Sequence, residues 1–165
     1  MDIVTNSTNE TKKLARMLAE EIGQWHPRGA RVIALVGDLG AGKTTFVQGF
    51  ARALGIKEVV HSPTFLILKI YEIRDTKYEI RHLIHIDCYR IESSKELLHL
   101  GFKELLKDKD AIMLVEWADK IRSLLPHDTL WIECEYGKYR SERMLKLKTQ
   151  KSKVKTKTEN KKLQS

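Results

Sequence analysis

The octapeptide Gly37-Asp38-Leu39-Gly40-Ala41-Gly42-Lys43-Thr44 constrains this chain more than any other segment, because it fits the spacing G-x-x-x-x-G-K-[ST]. Its flanks match what the spacing requires. Val32-Ile33-Ala34-Leu35-Val36 before it is continuously apolar, as a strand buried on both faces of a parallel sheet must be. After it, Phe46, Val47, Phe50, Ala53 and Leu54 recur at helical spacing, and Gly55 follows as a C-terminal stop. Glycines let a backbone curl until several N–H groups converge on one anion, and a helix opening at Gly42 adds its positive end. Lys43 then supplies a mobile charge for β and γ phosphates, Thr44 the usual hydroxyl ligand of magnesium, and Thr45 can reach an α phosphate. At ordinary glycine usage of about 7%, a chance match in such a chain is on the order of one in a hundred.

The base is less constrained than the phosphates. GTPases carry an Asn-Lys-x-Asp element, and the sole Asn-Lys pair here, Asn160-Lys161, runs on into Lys162-Leu163, so adenine is favoured by default.

The rest of the 165-residue chain predicts one domain built around that loop. Ser7-x-x-Glu10 is a capping-box pattern, and Leu14, Met17, Leu18 and Ile22 follow on one helical face. Residues 64–73 and 78–87 are rich in β-branched and aromatic types, with a polar turn at 74–77 between them, and read as an antiparallel hairpin. A second box, Ser93-x-x-Glu96, starts a helix expected to run through Leu106 despite Gly101. Residues 111–115 form another buried strand, a short helix follows up to Leu125 before Pro126, and 129–135 with 140–147 close the domain as a hairpin around Gly137. The expected class is α/β, a P-loop NTPase-like three-layer sandwich with a mixed, mainly parallel central sheet.

Charge separates this body, residues 1–149, from a tail, 150–165. The formal net charge is +8, yet from Lys146 to Ser165 eight lysines meet the single acid Glu159. With few apolar residues beyond 150, the tail is expected to be disordered. No apolar run approaches the roughly 18 residues of a membrane span, and the opening MDIVTNSTNE lacks the basic and apolar parts of a secretory signal, so a cytoplasmic location is expected. Cys88 and Cys134 stand far apart without metal-ligand spacing and read as reduced packing residues.

Hydrolysis at a phosphate loop needs further oxygens, and two carboxylates end apolar strands: Asp87 and Glu116. Open α/β sheets place their ligands at such strand ends. Either could hold magnesium or orient water. Thr64, in Ser62-Pro63-Thr64-Phe65, is placed to act as a switch threonine, and Trp117 could pack beside nucleotide. His82, His85 and Tyr89 beside Asp87 read as mostly structural.

These motifs, in order with His85-Ile86-Asp87-Cys88-Tyr89-Arg90, Glu96-Leu97 with Leu100-Gly101, and Val115-Glu116-Trp117, resemble the TsaE family over roughly residues 5–147. Members of that family are small P-loop ATPases of the bacterial machinery that makes threonylcarbamoyladenosine in tRNA. The resemblance implies ATP and Mg2+ at 37–45, with Lys43 on the phosphates, Thr44, Glu116 and Asp87 as metal or water-orienting groups, Thr64 as the switch, Trp117 beside the nucleotide and Thr8 near adenine. It further implies binding to the transferase TsaD with TsaB, weak intrinsic ATPase activity stimulated by those partners, and a resetting role between rounds. Ala118-Asp119-Lys120 stands where many members carry a proline.

Two other readings compete. A small-molecule or nucleotide kinase needs a lid of cations over the transferred phosphoryl, and the ten arginines, from Arg16 to Arg143, show no such cluster. The six lysines from Lys151 to Lys162 could instead bind RNA through phosphates, which leaves direct tRNA contact open beside indirect contact through partners. Deleting residues 150–165 is expected to leave ATP affinity, measured by calorimetry, unchanged within about twofold; a tenfold loss would give the tail a part in the nucleotide site.

Overall fold

The computed structural model describes residues 1–74 and 77–149; the tail expected at 150–165 and the tip of the 74–77 turn lie outside the described residues. Seven strands form one sheet: β1 (Asp2–Thr5), β2 (Arg31–Val36), β3 (Leu68–Glu72), β4 (His82–Asp87), β5 (Ala111–Glu116), β6 (Leu130–Tyr136) and β7 (Arg143–Thr149). Their order is β1-β7-β6-β2-β5-β4-β3. The middle strands β6, β2, β5 and β4 pair in parallel, whereas β7 on β6, β1 on β7 and β3 on β4 are antiparallel. Helices α1 (Thr8–Gly23) and α2 (Lys43–Ala53) cover one face; α3 (Ser94–His99), α4 (Phe102–Leu105) and a 3-10 helix (Ala118–Leu124) cover the other. The expected three-layer α/β sandwich with a mixed, mainly parallel sheet is therefore present.

Burial on both faces explains why β2, β4 and β5 are mostly apolar. Ile33 and Leu35 of β2, Leu83 of β4, and Ile112 and Leu114 of β5 pack against Ala15, Ala19 and Ile22 of α1 and Phe46, Val47 and Phe50 of α2. Val32, Ala34, Ile84, Ile86, Met113 and Val115 alternate onto the opposite face, against Leu97, Phe102 and Ile121. Both cysteines are buried in these cores, as packing residues should be. Burial pushes both thiols up to about 12.

The capping boxes start helices where expected. Ser7 Oγ accepts from the Glu10 N–H at 3.2 Å. Ser93 Oγ accepts from the Lys95 N–H at 3.3 Å, while Glu96 Oε1 accepts from the Ser93 N–H at 3.1 Å.

Several expectations are corrected. Met17 does not join the buried face of α1 but stands 58% exposed; Thr11, Ala15 and Ala19 fill that face because small side chains let α1 approach α2 closely. The helix from Ser93 does not cross Gly101, which takes the left-handed φ of 79° and divides α3 from α4, turning Leu100 outward. The segment 64–67 is not strand but a turn, closed by the Ile67 N–H on the Pro63 carbonyl at 2.6 Å. Residues 78–81 likewise precede the strand instead of belonging to it. β1 had no sequence signal recognised above, and it extends the sheet beyond β7. Two of the eight lysines counted from Lys146 onward, Lys146 and Lys148, lie in β7 within the body and pair across the strands with Glu135 and Glu133 at 2.8 and 2.7 Å.

The α1–α2 contact is closest at Gly49, where a Cβ would lie 2.6 Å from Lys12 Cα and 2.7 Å from its carbonyl oxygen. Alanine would gain about 1 kcal/mol in helix propensity, but forcing the two backbones apart costs more. Gly49→Ala is expected to lower unfolding free energy in urea by about 1 to 2 kcal/mol; an unchanged or raised midpoint would show that the helices separate freely.

Candidate active site

The loop after β2 is shaped by three glycines at left-handed φ: Gly37 at 139°, Gly40 at 76° and Gly42 at 101°. At Gly37 a side chain has no room, since a Cβ would stand 2.1 Å from the Cys134 carbonyl oxygen of β6. The N-terminus of α2 has no side-chain cap, so its first N–H groups stay available to an anion. Two residues of the closing hairpin hold the loop from outside. Tyr136 Oη donates to the Leu39 carbonyl, and Arg143 Nη2 donates to the Gly40 carbonyl at 3.1 Å. The Arg143 guanidinium also lies 4.8 Å from the Tyr136 ring centre.

Lys43 is 4% exposed and turns back on its own loop, donating to the carbonyls of Gly37 at 2.6 Å and Asp38 at 2.7 Å. Its ammonium lies 4.2 Å from the Trp117 ring centre. Burial pulls the ammonium below the ordinary lysine value, and the carboxylates of Glu116, Asp87 and Asp38 oppose that shift.

The carboxylates arrive on neighbouring strands. Asp87 ends β4, Glu116 ends β5, and the two are register partners. Glu116 is 2% exposed and accepts from the Thr44 hydroxyl, which lies 3.1 Å from Oε1 and 3.0 Å from Oε2. His85, two residues before Asp87 and therefore on the same face of β4, places Nε2 2.8 Å from Glu116 Oε1.

Asp87 has its own set of donors. Its Oδ2 accepts from the hydroxyls of Ser62 and Thr64, the latter at 2.9 Å, and its Oδ1 accepts from the Tyr89 N–H at 2.8 Å. The 62–67 turn is fastened beside it by the Asp87 N–H on the Ile67 carbonyl at 2.9 Å. Ile67 at φ 66° and Trp117 at φ 56° are the non-glycine left-handed residues among those described, and each adjoins this acidic pair.

These groups surround a cleft of about 280 Å³ lined by Gly40, Gly42, Lys43, Thr44, Thr45, Ser62, Thr64, Asp87, Glu116 and Trp117, with Leu39 and Tyr89 at its margin. The structure thus gathers Lys43, Thr44, Thr45, Thr64, Asp87, Glu116 and Trp117 in one place. Three loop positions differ. Ala41 is buried with its side chain in the core, and Gly37 and Asp38 face a separate depression beside Glu133 and Tyr136. Thr8, at the first turn of α1, lines a second cleft of about 350 Å³ with Ser7, Gly40, Thr45, Arg140 and Arg143, across the loop from the carboxylates.

Sequence reading gave no role to Ser62, His85, Tyr136 or Arg143. His85 lies two residues before Asp87 on the same strand, so its periodicity was an available signal, whereas Ser62 lies in a loop that carries no such pattern. Tyr136 and Arg143 lie 97 and 103 residues from the carbonyls they hold, and no local pattern reaches that far.

The donor set suits a small hard cation beside phosphates. It offers the Thr44 hydroxyl and carboxylate oxygens, with space for water and phosphate oxygens in the cleft. No group of three or more His, Cys, Asp or Glu among the described residues could hold a metal by itself.

The family model described as "Threonylcarbamoyl adenosine biosynthesis protein TsaE" matches residues 5–145. A relative in Bacillus subtilis (strain 168), the "tRNA threonylcarbamoyladenosine biosynthesis protein TsaE", is 41% identical over 128 residues, 78% of this chain and 73% of that protein. The protein of the same name from Treponema pallidum is 34% identical over 132 residues, 80% of this chain and 89% of the relative. Among solved structures, YdiB of Bacillus subtilis superposes with a TM-score of 0.70 at 31% identity, covering 97% of this chain and 92% of that one. With the match extending from β1 into β7 and enclosing the whole cleft, this chain belongs to the TsaE family.

Proposed function

We propose that this protein is a cytoplasmic, Mg2+-dependent ATPase of the tRNA threonylcarbamoyladenosine machinery, which binds the TsaD–TsaB transferase and resets it between rounds. Family membership supports the pathway. No helix among the described residues is long and apolar enough to cross a membrane. The observation that carries the chemistry is the convergence of Thr44, Glu116, Asp87 and Thr64 beside an uncapped helix N-terminus.

The roles follow from what each group can donate or accept. Backbone N–H groups of 37–45 and the Lys43 ammonium bind the triphosphate, once Lys43 exchanges two loop carbonyls for phosphate oxygens. Thr44 and Glu116 would hold the metal, with Asp87 nearby as a second acceptor; bound Mg2+ would neutralise charge on the β and γ oxygens. Thr64 is held by Asp87 within the same cleft and can turn its hydroxyl to the γ phosphate. A water oriented by Glu116 or Asp87 attacks the γ phosphorus, the bond to the bridging oxygen breaks, and ADP, phosphate and a proton leave.

A partner fits the surroundings of the cleft. Leu39, Phe65 and Leu66 stand 71%, 81% and 72% exposed on the two segments that frame it, a costly arrangement unless another protein covers them. Such a cover would also exclude water, which accords with weak turnover by the protein alone. No arginine lines the cleft that holds the carboxylates, so the kinase reading has no support there.

Lys43→Ala is expected to lower ATP affinity at least tenfold, whereas Glu116→Ala keeps affinity within a few-fold and loses turnover at least a hundredfold, as read by calorimetry and phosphate release. Equal loss of binding in both would make Glu116 a support of the nucleotide site instead. Steady-state hydrolysis should rise at least tenfold with TsaB, TsaD and tRNA over a Lys43→Ala blank. Vigorous turnover alone, or turnover requiring a small phosphoryl acceptor, would contradict the proposal.

A further inference from the structure

His85 is entirely buried on β4, in the layer between the sheet and α2 where Leu83 and Leu114 pack. A histidine there is expensive, since each of its ring nitrogens loses water. Only one of them is compensated. Nε2 lies 2.8 Å from Glu116 Oε1, while Nδ1 has no hydrogen-bond partner among the described residues. A carboxylate can only accept, so a bond between them needs a ring hydrogen on Nε2, with Nδ1 left unpartnered among the described residues. A leucine would fill such a position without leaving any polar atom unmatched. What leucine cannot supply is the bond to Glu116.

That bond matters because the Thr44 hydroxyl is the other donor to Glu116 among the described residues, and it is not fixed. The Thr44 hydroxyl has a single hydrogen and lies almost equally far from both carboxylate oxygens, so it does not select one of them. When Thr44 turns to a cation, that contact is given up. We propose that His85 is a positioning residue: its Nε2–H tethers Oε1 and presents Oε2 of Glu116 to the cleft in a fixed orientation. Hydrogen bonds that orient metal-ligating carboxylates in this way typically govern metal affinity or activity by 10-fold to 100-fold. The consequence for turnover rests on the ATPase reading above; the tether itself does not.

The test uses the full chain with His85→Leu, which keeps bulk without a donor, and His85→Gln, whose amide nitrogen reaches the place of Nε2. In the nucleotide-free wild-type protein, long-range 1H–15N spectra of the imidazole should show hydrogen on Nε2 alone, with that resonance moving in Glu116→Ala. His85→Leu should weaken the Mg2+-dependent gain in ATP affinity and lower kcat by about 10-fold to 100-fold. ATP affinity in EDTA should stay within about twofold, while KM for ATP with Mg2+ should rise in step with the lost metal-dependent affinity. His85→Gln should recover most of both losses. An Nδ1–H tautomer overturns the proposal even if no variant folds. So does a folded His85→Leu protein with unaltered metal dependence and kcat, or a His85→Gln protein as impaired as His85→Leu. A wild-type protein that binds ATP and Mg2+ without hydrolysing it would refute the ATPase reading, and the tautomer and metal dependence would still decide the role of His85.

Discussion

Register between the parallel strands β4, β5 and β2 governs where every reactive group lies. Leu35 opposes Glu116 across β2 and β5, and Asp87 opposes Glu116 across β4 and β5, so the three strands end level. Side chains alternate between faces, so a slip of one residue would carry Glu116 to the face packed on α3 and α4 and leave Thr44 without it. The two cores prevent that slip. Leu83, Ile112 and Leu114 are buried on one face, Ile84, Ile86, Met113 and Val115 on the other, and any shift would exchange them. Hydrophobic packing thus sets a geometry that polar contacts alone could not hold in water.

Within this frame, the groups destined for a ligand engage one another. Lys43 holds two loop carbonyls and faces Trp117, Thr44 holds Glu116, and Ser62 and Thr64 hold Asp87. These side chains are thereby paired without a ligand, which lowers the desolvation cost of holding them in the resting protein. On the proposed reading, a nucleotide would exchange these contacts rather than fill open valences. The left-handed Ile67 and Trp117 sit where the chain changes direction next to Asp87 and Glu116, and such conformations cost on the order of 1 to 3 kcal/mol each. The fold sustains them because the turns they permit bring Thr64 and the indole to the cleft.

Much of this was legible in the chain because its physics is local. An apolar run, a glycine-rich turn and an amphipathic helix specify β2, the loop and α2, and apolar runs ending in Asp87 and Glu116 specify β4 and β5 with their acids at the ends where ligands bind. Gly101 was read as an interruption tolerated by a longer helix, yet its φ of 79° ends α3. Met17 misled because periodicity cannot tell a residue at the margin of an apolar stripe from one at its centre; the close α1–α2 contact favours Ala15 and Ala19. β1 escaped notice because a four-residue edge strand with one buried side chain carries almost no pattern. The clamp of Tyr136 and Arg143 on the loop arises from sheet order, and His85 resembled any other core residue until its distance to Glu116 was known.

On the proposed reading, triphosphate and Mg2+ would draw apart contacts that the resting site makes with itself. A crystal structure with a non-hydrolysable ATP analogue and Mg2+ tests it most directly. Phosphates are expected against the N–H groups of 37–45, with Lys43 Nζ moved from the Gly37 and Asp38 carbonyls onto phosphate oxygens and the Thr44 hydroxyl moved from Glu116 onto the metal. A nucleotide bound elsewhere, or one bound at the loop with the Lys43 and Thr44 contacts unchanged, would contradict it.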